Sequence, residues 1–432
     1  MLTVIGLAII AAVVAALLSG RISPVVGLTL PPLVGALIAG FGAPEITGFF
    51  SAGLAKVAPV AAMFIFAILF FGAMQDAGLF RPLINFLIRM TRGNVIAVAV
   101  GTSIAGMLAH LDGAGATTFL LTVPALAPVY LRLRMSLYLM LLLLAIGAGI
   151  FNMMPWAGPL GRAAAVIGVD SAELWRPLIA VQGVGAVMLV VFAATLGWFE
   201  QLRIARLPLQ TKAATVEENE EKQPALSLSP VKIAFNVAIF IAVMAALIMG
   251  VLPAAYVFLI GLSLALPVNY AGAKAQMAAI AVHAPNAITM GAIILAAGSF
   301  LGVMDGSGML SAIANDAGHL LPDAVAPNLH FLLGVFGVPW ELVLNTDAYY
   351  FGLLPVVNEI VAPHGASPES VVYALMIGNI VGTFISPFSP ALWLALGLSG
   401  LEMGRHIRYS LLPMWAFSLA LMAVAGLLGV FH

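Results

Sequence analysis

Long apolar runs alternate with short polar stretches along the whole chain. A helix needs about 20 mostly apolar residues to cross a bilayer. Eight runs approach or exceed this length, at residues 1–18, 23–41, 54–74, 175–199, 231–250, 252–270, 285–304 and 407–430. Two longer runs, 135–168 and 370–400, are interrupted midway by Pro and polar residues. With each interrupted run counted once, the pattern predicts ten membrane-spanning helices and an all-α polytopic membrane protein.

Two more apolar regions fold around a polar middle. They cover residues 94–131 and 327–363, and each is long enough for two short helices joined by a tip. We expect each to be a re-entrant hairpin that returns to the side from which it enters. Their tips and the interrupted spans bring irregular backbone to membrane depth, where it is tolerated only inside the protein or beside a wet cavity.

The two halves of the chain repeat one another. The run that contains Gly72 resembles the run that contains Gly302. Pro159 and Pro390 are separated by nearly the same number of residues as these two glycines. The hydrophilic stretch 201–230 separates the halves and is interpreted as a linker. The predicted domains are a first repeat at 1–200 (hairpin 94–131, broken helix 135–168) and a second at 231–432 (hairpin 327–363, broken helix 370–400).

The loop charges predict the orientation of the two halves. Five spans per half is an odd number, so the second half is expected to be inverted relative to the first. Arg residues flank the first hairpin and acidic residues flank the second, and cytoplasmic loops carry the excess of basic residues. Fourteen of the 17 Lys and Arg then lie inside, with the linker 201–230 cytoplasmic and both termini external. The stretch 79–92, basic on one helical face and apolar on the other, predicts a helix in the cytoplasmic interface.

Composition narrows the class of protein. Hydrophobic residues make up 62% of the chain and charged residues 8%, against roughly 25% charged in soluble domains. The chain is therefore expected to be an integral membrane protein, and we predict that it lies in the inner (plasma) membrane of the cell. A net charge of −1 excludes nucleic acid as a partner. The absence of Cys excludes disulfides and thiolate sites, and no phosphate-binding G-x-x-x-x-G-K-[ST] motif is present to power an ATP-driven pump.

Four irregular places carry the candidate chemistry. They are the hairpin tips at 110–118 and 345–350 and the span interruptions at 152–159 and 383–390. Half-helix N-termini that meet near the bilayer midplane present free N–H groups and a positive dipole end to carboxylates. The candidate substrate-binding residues are Asp112, Gly113, Gly115, Thr117, Thr118, Asn152, Pro155, Trp156, Asn345, Thr346, Asp347, Ser386 and Ser389.

Two of these residues, Asp112 and Asp347, are acids at the two tips. A carboxylate at the bilayer centre costs roughly 2.5–3.5 kcal/mol on insertion scales, so a pair of them indicates a function. Low dielectric and a nearby anionic substrate both favour the neutral carboxyl, which can then take up a proton with the substrate. We predict proton coupling at Asp347 first, then Asp112, with His110 as the next candidate. Asp112 and Asp347 are also the predicted contacts of a metal that enters complexed with the substrate.

Four short motifs lie in or near these places: Asp76-Ala77-Gly78-Leu79-Phe80, Leu111-Asp112-Gly113 with Thr117-Thr118-Phe119, Pro155-Trp156-Ala157-Gly158-Pro159, and Asp347-Ala348-Tyr349-Tyr350-Phe351-Gly352. They resemble motifs of the citrate–metal:proton symporters (CitMHS) of the ion-transporter superfamily, and the similarity covers nearly the whole chain. This resemblance implies two re-entrant hairpins, two broken helices, a dimeric scaffold, and citrate uptake with protons, often as a divalent-metal complex. At the first tip Ala114 replaces an acid of the family pattern, which leaves free citrate, another metal complex or a different carboxylate open.

Residues and resemblance together predict a secondary active transporter rather than an enzyme. It would carry citrate or a related carboxylate with protons, by an elevator mechanism, in a homodimer surrounded by lipid. No tightly bound cofactor is expected. Transport would use the proton gradient and, where the substrate is a metal complex, a divalent cation bound with the substrate. Two alternatives stay open: a sodium-coupled di- or tricarboxylate carrier, and a membrane-embedded hydrolase using Asp112 and Asp347 as an acid pair.

Overall fold

The computed structural model describes residues 1–19, 21–78, 93–207, 230–322 and 325–431. Over these residues the chain forms helices and turns without strands, so the predicted all-α architecture is confirmed. The predicted interfacial helix at 79–92 lies outside the described residues, and so does most of the predicted linker, residues 208–229.

The helices of the first half are α1 Leu2–Ser19, α2 Pro24–Ile38, α3 Ala43–Asp76, α4 Val95–Ala109, α5 Gly115–Arg132, α6 Leu137–Phe151, α7 Gly158–Ile167, α8 Ser171–Trp175 and α9 Leu178–Ala205. Those of the second half are α10 Pro230–Met249, α11 Ala254–Asn269, α12 Gly272–Gly306, α13 Met309–Leu320, α14 Leu329–Val335, α15 Gly337–Trp340, α16 Leu354–Val361, α17 Pro368–Asn379, α18 Pro390–Ser399 and α19 Met403–Leu427. Short 3₁₀ turns follow α4, α16 and α17, and a π-helical turn, Ala348–Leu353, precedes α16.

Six helices within the described ranges are long and apolar enough to cross a membrane: α3, α4 with its following turn, α9, α10, α12 and α19. Shorter apolar helices are α1, α2, α6, α11 and α18. Each of the ten predicted spans overlaps at least one helix of these two sets. The chain is therefore built as a multi-pass membrane protein.

The two longest helices, α3 and α12, pack against each other in antiparallel order. Near one end Gly53 contacts Gly298 and Gly302 so closely that no side chain fits between the backbones. Near the other end Gly72 packs against the ring of His283, which also bonds Asp76 through Nε2 at 2.8 Å. Small residues allow membrane helices to approach this closely.

The core of the protein surrounds α6 and α17. Every residue of α6 from Leu139 to Ile150 is buried, and so is every residue of α17 from Ser370 onward. A helix that is apolar all round is expected inside a bundle rather than at its surface. The segments that follow, 152–157 and 380–386, are buried as well. Both interruptions of the spans therefore lie inside the protein, where irregular backbone is tolerated.

Candidate functional site

The first hairpin tip reverses within a few residues between α4 and α5. A 3₁₀ turn, His110–Asp112, ends at Gly113, whose φ of +72° suits glycine. The carboxylate of Asp112 accepts a 2.9 Å hydrogen bond from the Ala114 N–H and a second bond from the Thr117 hydroxyl. A carboxylate in this place satisfies a free N–H and complements the positive end of the helix dipole. Asp112 is thus bonded entirely within its own tip.

His110 connects this tip to the first interrupted span. The ring is fully buried, with Nδ1 2.7 Å from the Thr118 hydroxyl and Nε2 3.0 Å from Oδ1 of Asn152. Because the Asn152 oxygen only accepts, Nε2 donates to it, whereas the Thr118 hydroxyl is able to donate to Nδ1 or to accept from it. Three predicted site residues therefore form one satisfied network.

Trp156 fastens the interruption between α6 and α7 to the same tip. Its indole N–H donates to the Leu111 carbonyl at 2.8 Å. Its ring stacks on Phe71 of α3 with centroids 5.2 Å apart, and the residue is buried. These contacts place the neighbouring Pro155 and the first turn of α7 directly beside the tip.

Three helix N-termini converge on the first tip. A Cβ added at Gly113 would lie 3.2 Å from the Cα of Ala157, the residue that precedes α7. A Cβ added at Gly115, the first residue of α5, would lie 2.9 Å from the Cβ of Ala391, the second residue of α18. The starts of α5, α7 and α18 therefore meet within a few ångströms of Gly113–Gly115. Helix N-termini favour bound anions, carboxylates included.

The second interruption supplies the remaining polar groups near this point. Ser389 caps α18, since its Oγ accepts from the Leu392 N–H at 3.4 Å. Ser386 is buried, and its Oγ accepts from the Phe388 N–H at 3.4 Å. The ring of Phe384 lies 5.6 Å from that of His110, edge to face. The first tip is thus enclosed between both interruptions.

The second hairpin tip is held differently. Asn345 accepts from the Ala348 N–H at 2.8 Å and donates from Nδ2 to the Leu17 carbonyl of α1 at 2.9 Å. Thr346 and Asp347 follow, just before the π-helical turn. Single-turn π segments occur frequently at functional sites.

Asp347 forms an ion pair with Arg162 of α7. The Arg162 Nε lies 2.6 Å from Oδ1 of Asp347, and the two side chains are only 10% and 14% exposed. The pair joins the second tip to the helix that follows the first interruption, across 185 residues of sequence. Sequence reasoning did not select Arg162, although its place inside an interrupted apolar span was a usable signal.

Glu341 is a second functional candidate that sequence reasoning missed. It directly follows α15 in the second hairpin, its residue is 1% exposed, and neither carboxyl oxygen has a hydrogen-bond partner among the described residues. The repeat offered a signal here, because Glu341 is separated from His110 by the same interval that separates Pro390 from Pro159.

The predicted acids do not share a partner. Asp112 bonds within its own tip, whereas Asp347 bonds Arg162. Within the part of the chain that the structure describes, no three His, Asp or Glu side chains are grouped so as to hold a metal ion.

A cavity of about 310 Å³ lies apart from the two tips. It is bordered by α3, α7, α12 and α16, and its charged lining residues are Lys56, Asp305 and Glu359. None of the predicted substrate-binding residues lines it. The cavity lies between the long α3–α12 pair on one side and, on the other, α7, which follows the first interruption, and α16 of the second hairpin.

Comparison with known proteins identifies the family. Residues 1–378 match the family described as citrate transporter, CitMHS. The chain belongs to the citrate transporter family. The resemblance predicted from the four motifs is thereby confirmed.

Relatives in Bacillus subtilis (strain 168) cover the whole length. The chain is 33% identical over 430 residues to a protein named citrate transporter, with 99% of each chain covered. It is also 33% identical over 436 residues to a Mg(2+)/citrate complex secondary transporter, again with 99% of each covered. Since these relatives are transporters by name, the prediction of a transport protein rather than an enzyme is confirmed.

Two solved structures show the fold. The YdaH transporter of Alcanivorax borkumensis superposes with a TM-score of 0.62, over 90% of this chain and 89% of that chain. MtrF of Neisseria gonorrhoeae, described as illuminating a class of antimetabolite efflux pumps, gives the same TM-score over 92% of this chain and 83% of that chain. Both are 17% identical to this chain and inform on architecture alone.

Proposed function

We propose that this member of the citrate transporter family is a secondary active transporter that moves citrate, alone or complexed with a divalent metal, together with protons. The convergence of three helix N-termini on Gly113–Gly115 carries the proposal, because such a place binds carboxylates. The names of the Bacillus relatives support citrate, and one of them supports a Mg²⁺ complex.

Arg162 is the cationic partner of the substrate in this proposal. Its guanidinium is permanently charged and matches a carboxylate with paired N–H donors. In the structure it is bonded to Asp347 through Nε. A substrate carboxylate arriving beside the start of α7 competes with Asp347 for this cation.

Competition for Arg162 provides a route to proton coupling. Once Asp347 loses its cation, its carboxylate is left in surroundings of low dielectric, which favour the neutral acid. Uptake of a proton by Asp347 then accompanies binding of the substrate and lowers the charge that crosses the membrane. Asp112 and His110 remain the next candidates for this role, and Asp112 and Asp347 for contact with a co-bound metal.

In this proposal the other predicted binding residues contribute to the same site. They are polar groups of both tips and both interruptions, together with one proline: Thr117, Thr118, Asn152, Trp156, Asn345, Thr346, Ser386, Ser389 and Pro155. Several of them already satisfy backbone groups, so we assign them the shaping of the site as well as contact with the substrate.

An inverted repeat and an elevator movement complete the proposal. The antiparallel contact of α3 with α12 supports inversion. The interval that relates Gly72 to Gly302 also relates Gly53 to His283. The contact of Gly53 with Gly302 at one end therefore has its counterpart in the contact of His283 with Gly72 at the other. We assign α3 and α12 to a static, dimeric scaffold and the hairpins with the interrupted helices to the moving part. The cavity between these groups lies along that boundary.

The orientation proposed from loop charges has its own test. Single Cys residues at Lys212 and Asp323 are expected to react with an impermeant thiol reagent from opposite sides of the membrane. Labelling of both from the same side would contradict the inverted arrangement and the external termini.

Uptake into proteoliposomes tests the function. The purified chain is expected to accumulate labelled citrate when an inward proton gradient is imposed, and to respond to added Mg²⁺ if the metal complex is carried. Acceleration by an inward sodium gradient at constant pH would instead support a sodium-coupled carrier. Absence of citrate exchange under all gradients would contradict citrate as the substrate.

A further inference from the structure

Glu341 is the buried acid that the proposed mechanism leaves unused. It sits where the first arm of the second hairpin packs on α17, with Gly337 in contact with the backbone of Gly378 and Asn379. Asn379 and Ser386 are the polar side chains beside its carboxyl. Neither bonds either oxygen with normal geometry in the described structure, and Oδ1 of Asn379 is also without a partner.

The surroundings of Glu341 contain no cation among the described groups that face it. On its own hairpin these groups are Tyr349 and Tyr350. On α19, His406 has both ring nitrogens occupied, by the Phe384 carbonyl at 3.1 Å and the Ser410 hydroxyl at 3.3 Å. Arg162 faces Tyr350 and is bonded to Asp347.

A carboxylate in this setting would be uncompensated. Burial of an ionised group without a counter-charge or hydrogen bonds is far costlier than burial of the neutral acid. The geometry therefore requires Glu341 to hold a proton in this conformation. Asp347 of the same hairpin lies beside Arg162, so the two acids of one hairpin differ in the charge that faces them.

The first half shows the contrast at the equivalent position. His110, which corresponds to Glu341 in the repeat, has a partner for each ring nitrogen, whereas Glu341 has none among the described residues for either oxygen. The group in the second half is therefore the one able to change its proton without first breaking a bond.

We propose that Glu341 is a second proton-binding site of the transport cycle, protonated in this conformation and deprotonated when the hairpin moves on α17. This inference rests on the proposed proton-coupled transport and adds a proton that does not depend on Arg162. Tyr350 is within electrostatic range of both Arg162 and Glu341, and its hydroxyl has no partner among the described residues.

The number of protons carried per citrate tests the inference. Proteoliposomes holding a trapped pH-sensitive dye and supplied with labelled citrate report both fluxes at once. Glu341→Gln is expected to keep citrate exchange and to carry one proton fewer per citrate than the wild type. Glu402→Gln is the matched control, because Glu402 is 76% exposed in a surface pair with Arg405, and it is expected to keep the wild-type ratio.

Two results separate this inference from the proposed function. An unchanged ratio in Glu341→Gln would overturn the second site and leave proton-coupled transport intact. Citrate transport by the wild type without any proton movement would overturn both. Glu341→Asp, which keeps a carboxyl, is expected to restore the wild-type ratio.

Infrared spectroscopy of the purified chain tests the site without transport. A protonated buried carboxyl gives a C=O stretching band that is separate from the carboxylate bands. This band is expected at neutral pH without substrate and is expected to disappear in Glu341→Gln but not in Glu402→Gln. Identical bands in wild type and Glu341→Gln would overturn the inference even if the variant carried no citrate.

Discussion

Both hairpins carry acids, but the two hairpins compensate them differently. In the first, Asp112 is bonded by Ala114 and Thr117 of its own tip, and His110 is bonded on both sides. In the second, Asp347 takes its partner from the other half of the chain, and Glu341 has no partner among the described residues. The polar groups of the first hairpin are bonded within the first half of the chain, whereas Asp347 of the second depends on Arg162, the cation for which we propose that the substrate competes.

This difference assigns separate tasks to the hairpins. A tip whose polar groups are satisfied locally is suited to hold helix N-termini in a fixed arrangement around an anion. A tip whose charge is balanced by a distant residue is suited to change protonation when that residue changes partner. We therefore expect substitutions in the second hairpin to alter coupling and those in the first to alter binding or packing.

Removal of Arg162 is expected to have the largest effect. Arg162→Gln leaves Asp347 buried without its cation, and breaking one side of a buried pair costs about 3–5 kcal/mol. It also removes a charged contact to the substrate, worth about 1.5–3 kcal/mol, or roughly 10- to 150-fold in apparent affinity. Thermal unfolding in detergent and citrate uptake measure the two effects.

A double variant separates these two losses. Arg162→Gln with Asp347→Asn removes both charges and is expected to recover much of the stability but none of the uptake. Arg405→Gln, which breaks an exposed pair with Glu402, is the control and is expected to change neither. Wild-type citrate affinity in Arg162→Gln would contradict the role given to this cation.

Crowding of the first tip is expected to have the next largest effect. A Cβ at Gly115 would lie 2.7 Å from the Phe384 ring and 2.9 Å from Ala391, and overpacking of this kind costs about 1–3 kcal/mol. Gly115→Ala should therefore reduce citrate uptake by separating α5 from α18, with proton coupling of the residual flux retained. Gly397→Ala on α18 meets nothing within 4 Å and serves as the control. Normal uptake by Gly115→Ala would mean that the close approach of the two N-termini is not needed.

Neutralising Asp347 is expected to alter coupling more than binding. Asp347→Asn imitates the protonated acid and leaves Arg162 free for the substrate, so citrate exchange should continue. Acceleration of net uptake by an inward proton gradient should be lost or reduced, as measured by uptake at several external pH values. If Asp347→Asn kept the full wild-type response to pH, its coupling proton would have to be carried by Asp112 or His110.

The sequence predicted most of the helical framework, because apolar length and Pro-containing interruptions are local signals. It also singled out Asp112 and Asp347, since acids within apolar segments are rare. It did not predict the pair of Arg162 with Asp347, which depends on how α7 packs against a tip 185 residues away. Glu341 was missed for another reason. It follows a short apolar helix, and its correspondence with His110 in the repeat is the sequence signal that indicates a functional residue there.

Some predicted binding residues have structural tasks that the sequence could not separate from function. Ser389 caps α18, and Asn345 both caps the return arm of its hairpin and ties it to α1. Capping and ligand binding use the same side-chain oxygens at the same helix ends. Their contact with the substrate therefore stays a prediction.

Neutralising Asp112 is expected to have the smallest effect, and this result would sharpen the contrast between the hairpins. The amide oxygen of Asp112→Asn can still accept from the Ala114 N–H, and its geometry matches the carboxylate, so the tip is expected to keep its fold. The change removes one negative charge beside three helix N-termini, where the dipole contribution is about 0.3–1 kcal/mol. Citrate exchange and the response to a proton gradient should therefore stay close to wild type, while stimulation by Mg²⁺, if present, should weaken. The same measurements on Asp347→Asn provide the comparison. Loss of proton coupling in Asp112→Asn with normal coupling in Asp347→Asn would reverse the tasks assigned to the two hairpins, because the locally bonded acid would then be the one that changes its proton.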